Sequence, residues 1–145
     1  MKIAICVTTR NRPGVFDKTY SQITNYLPPN ARRFVVDDAS DEPVVETGNR
    51  GFRFETNVGV ATAKNKCLEL AYEWGADHIF LFDDDTYPIK QDWWKPYVES
   101  KEPHLMYNFK LKNKPETDMQ EVFRDAKIVA YSHTRGCMIY LTREV

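Results

Sequence analysis

Ile79-Phe80-Leu81-Phe82-Asp83-Asp84-Asp85-Thr86-Tyr87-Pro88 is the stretch that decides the fold. Four apolar residues run into three successive carboxylates, and a proline stops any regular continuation. The run is too short and too aromatic for a helix, and it reads as a strand buried on both faces. Its charged end then falls at the carboxyl edge of a parallel sheet, where open α/β folds place ligands. Three adjacent Asp repel one another, and a divalent cation offsets that repulsion. Hard oxygen donors at this density suit Mg²⁺ or Mn²⁺ rather than Zn²⁺. A solvated acidic turn is the plainer reading, and the position after a hydrophobic strand favours the metal.

Working outward, residues 2–7 form a first buried strand. It enters the polar turn Thr8-Thr9-Arg10-Asn11-Arg12-Pro13-Gly14, with two hydroxyls and two guanidinium groups. Phe16, Tyr20, Ile23 and Leu27 recur at helical spacing until Pro28-Pro29. Phe34-Val35-Val36 then leads into Asp37-Asp38-Ala39-Ser40, so the opening is β-α-β with parallel strands. After a loop over 41–51, Phe52-Arg53-Phe54 reads as a third short strand. Asn57-Val58-Gly59 introduces a helix whose face carries Val60, Ala63, Cys67, Ala71 and Trp74, stopped by Gly75. The alternation delivers three polar clusters, 8–12, 37–40 and 83–86, to one sheet edge.

Beyond Pro88 the pattern changes. Asp92 is placed to cap a short helix carrying Trp93, Trp94, Tyr97 and Val98. Residues 105–112 alternate as a half-buried strand, 113–121 read as a loop, and 128–131 and 137–141 read as two further strands joined through 132–136.

With 145 residues, 42% of them hydrophobic and 28% charged, the chain reads as a single globular domain, with 1–88 as a nucleotide-binding part and 89–145 as the start of a second part. A net charge of −1 gives no basic field to recruit nucleic acid. Cys6, Cys67 and Cys137 are widely spaced and odd in number. The first two fall on apolar faces as buried free thiols, which points to a reducing, cytoplasmic setting. No run is long and apolar enough to span a membrane.

Metal-binding carboxylates, basic groups and a second acidic pair suit a nucleotide diphosphate. An Asp accepts hydrogen bonds from a base or ribose, and the N-terminus of the helix near Gly59, with Lys64 a turn later, holds a phosphate. No Walker-type or GxGxxG loop is present. In order and spacing these residues resemble the family 2 glycosyltransferases of the GT-A fold. The resemblance is carried by Val7-Thr8-Thr9-Arg10-Asn11-Arg12-Pro13, by Val35-Val36-Asp37-Asp38-Ala39-Ser40 and by Asn57-Val58-Gly59-Val60-Ala61-Thr62-Ala63-Lys64-Asn65. Phe82-Asp83-Asp84-Asp85 is similar to that family's DXD element, and Arg135-Gly136-Cys137-Met138-Ile139-Tyr140 to the glycine-bearing strand that opens its acceptor half.

The resemblance implies a mostly parallel α/β sheet flanked by helices, with an antiparallel extension on the acceptor side. It implies inverting transfer from a nucleotide-diphosphate sugar to an acceptor hydroxyl the sequence does not identify. Thr9 and Asp37 or Asp38 would hold the nucleoside, Lys64 the diphosphate, and Asp83 or Asp84 the ribose. Thr8, Arg12, Asn57 and Gly59 belong to the same donor-binding segments. Asp85, with Asp83, would coordinate Mn²⁺ or Mg²⁺. Lys64 stands where the family usually has Arg. The family's "ED" base and late metal-ligating His have no counterpart in 141–145, so the expectation is a chain shorter than the full enzyme. Such a chain would lack the catalytic base and self-associate through an uncovered apolar flank.

Three rival functions share parts of this pattern. A haloacid-dehalogenase-type phosphatase would need Thr or Val where Tyr87 stands. A sugar-nucleotide nucleotidyltransferase usually carries a Gly-rich loop after its first strand, and Thr8-Thr9-Arg10-Asn11-Arg12 is not Gly-rich. A donor-binding module without catalysis is the third. Aromatic residues 93–97 are read as packing, and His133 as polar surface.

Overall fold

The computed structural model describes residues 1–44, 50–100, 102, 104–106, 121–124, 129–131 and 136–145. In chain order the elements are β1 (Ile3–Thr9), α1 (Pro13–Asn25), β2 (Ala31–Asp37), β3 (Arg50–Arg53), α2 (Val60–Trp74), β4 (His78–Asp83), α3 (Lys95–Val98), β5 (His104–Met106), β6 (Glu121–Arg124), β7 (Val129–Tyr131) and β8 (Met138–Thr142). Among the described residues β3, β2, β1, β4, β8 and β5 form one sheet in that order, and β6 pairs with β7 separately. The first four run parallel. β8 is antiparallel to both β4 and β5. This is the GT-A arrangement that the sequence implies.

β1 is buried along all seven residues because it is the middle of the parallel set. Its residues alternate between two cores. Ile3, Ile5 and Val7 pack with Phe16 and Ile23 of α1 and with Phe80 and Phe82 of β4. Ala4 and Cys6 pack with Ala63, Cys67 and Ala71 of α2 and with Ile79 and Leu81. The helices therefore cover opposite faces, as right-handed crossovers on either side of a central strand require. Trp93 joins the α1 face, its ring 4.8 Å from that of Phe80, and its indole N–H donates to Tyr26 O at 2.9 Å. Tyr97 and Tyr140 close on Phe80 too, so Trp93 and Tyr97 serve packing.

Several boundaries differ from the sequence reading for local reasons. α1 ends at Asn25, and Leu27 packs on the core outside the helix. Pro28 disfavours helical backbone at the residue before it. β2 starts at Ala31 rather than Phe34. Its two arginines are accommodated by aromatic stacking on opposite faces, Arg32 over Trp74 at 4.7 Å and Arg33 over Tyr20 at 4.5 Å. α2 matches its expected span, and Gly75 ends it in the left-handed conformation (φ 82°). Asp92 does not cap α3. It stands three residues earlier with its own φ at 59°, and the turn carbonyl rather than its side chain meets Lys95 N–H. β6 begins at Glu121 within the stretch read as ending a loop. Residues 107–120 and 132–135, with the expected end of the 105–112 strand and His133, lie outside the described residues.

Candidate functional site

Register alone collects the polar clusters. Thr9 lies opposite Asp37 and Thr8 opposite Asp83 across the parallel ladders. The chain leaves β1 through α1 on one face and reaches β4 from α2 on the other. The connections therefore part at the carboxyl edge and leave a crevice, the usual ligand position in such sheets. A cleft of about 450 Å³ opens there, lined by Thr8, Thr9, Arg10, Arg12, Asp38, Asn57, Gly59, Val60, Ala63, Asp83 and Asp84.

Of the ten residues expected to bind a nucleotide sugar, Thr8, Thr9, Arg12, Asp38, Asn57, Gly59, Asp83 and Asp84 line this cleft. Lys64 stands just outside, its Nζ 2.7 Å from Asp83 Oδ1 and 3.5 Å from Gly136 O. It ties the end of β4 to the turn before β8. Asp37 is not among the lining residues. Its carboxylate accepts Ser40 N–H at 2.8 Å and Val44 N–H at 3.2 Å, and Arg53 Nε approaches to 3.5 Å. That carboxylate holds a turn in which Ala39 takes φ 57°, a conformation that alanine otherwise avoids.

Asp38 does similar work one residue on. It accepts Asn57 Nδ2 at 2.6 Å, Val58 N–H at 2.7 Å and Gly59 N–H at 3.0 Å, which fixes the start of α2 at the cleft. The first helical bond runs from Ala63 N–H to Gly59 O, leaving the N–H groups of Val60, Ala61 and Thr62 without helical partners. The positive end of the α2 dipole therefore sits at the cleft wall. Gly59 has φ 87° and ψ 156°, open to glycine and strained for other residues, though a Cβ there would meet nothing within 4 Å. The constraint at this position is backbone conformation, not space.

The three acidic residues after Phe82 have different surroundings. Asp84 is buried, and Thr9 Oγ1 donates to it at 2.9 Å while the Arg12 guanidinium grips its other oxygen. Asp85 is half exposed and takes Arg12 Nη1 at 3.3 Å. Asp83 is a third exposed and paired with Lys64. Burial works to lower the Arg12 pKa, but the charges of Asp84 and Asp85 and their hydrogen bonds outweigh it and raise it, so the guanidinium stays charged. No group of three or more His, Cys, Asp or Glu side chains among the described residues is arranged to hold a metal on its own.

The sequence reading missed Arg10, Val60 and Ala63 as cleft residues. Arg10 was visible as one of two guanidinium groups in the opening turn. It is exposed in the cleft wall and makes no ion pair among the described residues, unlike Arg12 and Lys64. Its backbone is pinned on both sides: Thr9 O accepts Asp38 N–H at 3.0 Å, and Asn11 N–H donates to Ser40 Oγ at 2.9 Å. Spacing puts Val60 on the buried helix face, yet it is 64% exposed because it begins α2 at the cleft.

Comparisons with known proteins agree with this architecture. S. aureus TarS 1-349 superposes with a TM-score of 0.67 at 18% identity, covering 97% of this chain and 47% of that one. The same TarS fragment in complex with UDP gives 0.70 at 20% identity over 96% and 46% of the two chains. Its UDP-GlcNAc complex gives 0.63 at 20% over 79% and 36%. The present chain thus spans about half the length of the first two solved structures. No curated protein sequence matches it significantly. The sequence profile described as Glycosyl transferase family 2 matches residues 4–105. With more than two thirds of its length so matched, the chain belongs to glycosyl transferase family 2.

Proposed function

We propose that the cleft binds the nucleotide-diphosphate part of a sugar donor, and that the chain is the donor-binding portion of an inverting glycosyltransferase. The observation that carries this reading is the crevice at the carboxyl ends of β2, β1 and β4. In it the N-terminal end of α2, two hydroxyls of β1, Arg10, Arg12 and the β4 acids converge on one volume. The helix end and Arg10 supply N–H donors for phosphate oxygens. Thr8, Thr9 and Asp38 offer the polar contacts for a nucleoside, with Val60 and Ala63 as an apolar wall. Asp37 contributes by fixing the turn after β2. Lys64, a short distance from the cleft, moves from Asp83 to the diphosphate and stabilises it as it departs.

Mg²⁺ commonly binds through one or two carboxylates plus substrate phosphates and water, without an all-protein cage. The partly exposed carboxylates of Asp83 and Asp85 fit that donor set, for Mg²⁺ or Mn²⁺ arriving with the diphosphate. When bound, the metal supplies charge neutralisation of the leaving diphosphate.

UDP and UDP-GlcNAc, bound by the TarS fragment, are the first probes to try, alongside GDP, ADP and CDP. Calorimetry should find one nucleoside diphosphate whose affinity rises when Mn²⁺ is added. Absence of binding by every member, with and without metal, would overturn the reading. Product analysis extends the test, because release of nucleoside diphosphate marks glycosyl transfer while pyrophosphate or inorganic phosphate would mark the rival reactions. The buried thiols Cys6 and Cys67 accord with a reducing, cytoplasmic setting. Self-association, read by sedimentation, would engage Val122 and Phe123, which are exposed on β6.

A further inference from the structure

Arg12 holds two carboxylates with unequal grips. One Nη bonds buried Asp84, which Thr9 also holds, and the other reaches half-exposed Asp85 at 3.3 Å. Besides Arg12, Asp85 has only the Thr86 hydroxyl at 3.5 Å among the described residues. The backbone of Arg12 is fixed, since its carbonyl accepts the N–H groups of Val15 and Phe16 at the start of α1, and Pro13 follows it. Any change of partner is therefore a side-chain motion.

We propose that Arg12 is the internal counter-ion of Asp85: it occupies that carboxylate in the nucleotide-free chain and gives it up when a metal-bound diphosphate arrives. The proposal rests on the donor-site reading above. A bare divalent cation at Asp85 would lie against the guanidinium, and the displaced Nη1–H would lose its carboxylate without gaining another anion. A diphosphate removes that penalty, because its oxygens accept the freed N–H in a charge-assisted hydrogen bond. Metal and nucleotide therefore bind with positive coupling, and by linkage each strengthens the other equally. Arg12 keeps its bond to Asp84 throughout, so it meets the diphosphate while hinged on a buried acid.

Mn²⁺ binding by the 145-residue chain, followed by the electron paramagnetic resonance signal of free Mn²⁺ with and without UDP, tests this. Arg12→Gln should bind bare Mn²⁺ about fivefold more tightly than the parent, the size expected when one solvent-screened ion pair no longer competes. It should also show a smaller enhancement by UDP. Arg12→Lys, which keeps the charge, should stay near the parent for bare metal. Unchanged or weaker binding of bare Mn²⁺ by Arg12→Gln overturns the proposal, as does absence of Mn²⁺ binding in both proteins. Failure of the donor-site reading shows separately, as a parent that binds no nucleoside diphosphate with metal. A second measurement needs no variant. The Arg12 Nε–H resonance of the parent should shift with Mg²⁺ and UDP together and not with Mg²⁺ alone; a shift with Mg²⁺ alone, or none with both, contradicts the exchange.

Discussion

The two ends of the central sheet carry comparable charge and use it differently. At the amino edge Asp77 accepts Lys2 N–H at 2.6 Å, and the N-terminal ammonium lies 3.7 Å away. Nearby, Arg143 Nη1 donates to Tyr72 O at 2.9 Å, and His78 Nδ1 meets the Tyr140 hydroxyl at 2.8 Å. At the carboxyl edge Asp83, Asp84 and Asp85 are met by the side-chain cations of Lys64 and Arg12. The Lys2 N–H cannot leave Asp77 without unfolding something, whereas the Lys64 and Arg12 heads exchange partners by rotation. On the donor-site proposal, the acids after β4 are the ones whose partners can give way to a ligand, while Asp77 holds chain segments together.

The largest expected effect breaks both ends at once. Phe80→Ala removes the ring that Trp93, Tyr97 and Tyr140 pack against, and should cost about 3–5 kcal/mol in denaturant unfolding. Next comes a matched pair. Asp84→Ala should lower stability by about 2 kcal/mol, because Thr9 and Arg12 lose their buried acceptor, and should weaken nucleoside diphosphate binding in the presence of Mn²⁺ about tenfold or more. Asp77→Ala should cost about 1 kcal/mol or less, its partners being exposed, and leave nucleotide binding unchanged. Equal effects of the two on nucleotide affinity would erase the distinction between the edges.

Lys64→Ala sharpens the comparison within the site. It should reduce affinity for a nucleoside diphosphate several-fold more than for the nucleoside, since only the former offers a phosphate to the ammonium. Titration with both ligands reads this, and a uniform loss would leave Lys64 with only its structural tie to Asp83 and Gly136.

The smallest effect is a pH dependence at the amino edge. Burial lowers the His78 pKa below its ordinary 6.5, with Asp77 working to raise it and the N-terminal ammonium to lower it. The folded chain therefore binds fewer protons than the unfolded chain just below pH 6.5, and stability falls as pH drops through that window. His78→Gln should flatten the dependence there in thermal unfolding monitored against pH, with nucleotide binding untouched.

The sequence made the sheet and the convergence of its polar turns legible, because buried strands and amphipathic helices alternate with clear periods as far as Pro88. The unequal roles of adjacent acids were not legible. Asp37 and Asp38 are identical in type, yet one fixes a turn and the other the start of α2. Asp83, Asp84 and Asp85 differ only in how the backbone turns after β4, which decides that Asp84 is buried. Arg32 and Arg33 hid the start of β2, since charged residues lower a strand assignment unless their aromatic partners, distant in sequence, are known. β6 carries exposed Val122 and Phe123 in a stretch with no strong pattern.

The central claim is that the cleft takes a nucleoside diphosphate together with a divalent cation on Asp85. Calorimetric titration of the chain and of Asp85→Asn with the preferred nucleoside diphosphate, with and without Mn²⁺, tests it most directly. The account predicts that Mn²⁺ tightens binding to the parent about tenfold or more, that Asp85→Asn removes this gain, and that the substitution does not weaken metal-free binding, since it frees Arg12 for the diphosphate. An equal Mn²⁺-dependent gain in the two proteins, or no nucleotide binding by the parent under any metal condition, would contradict it.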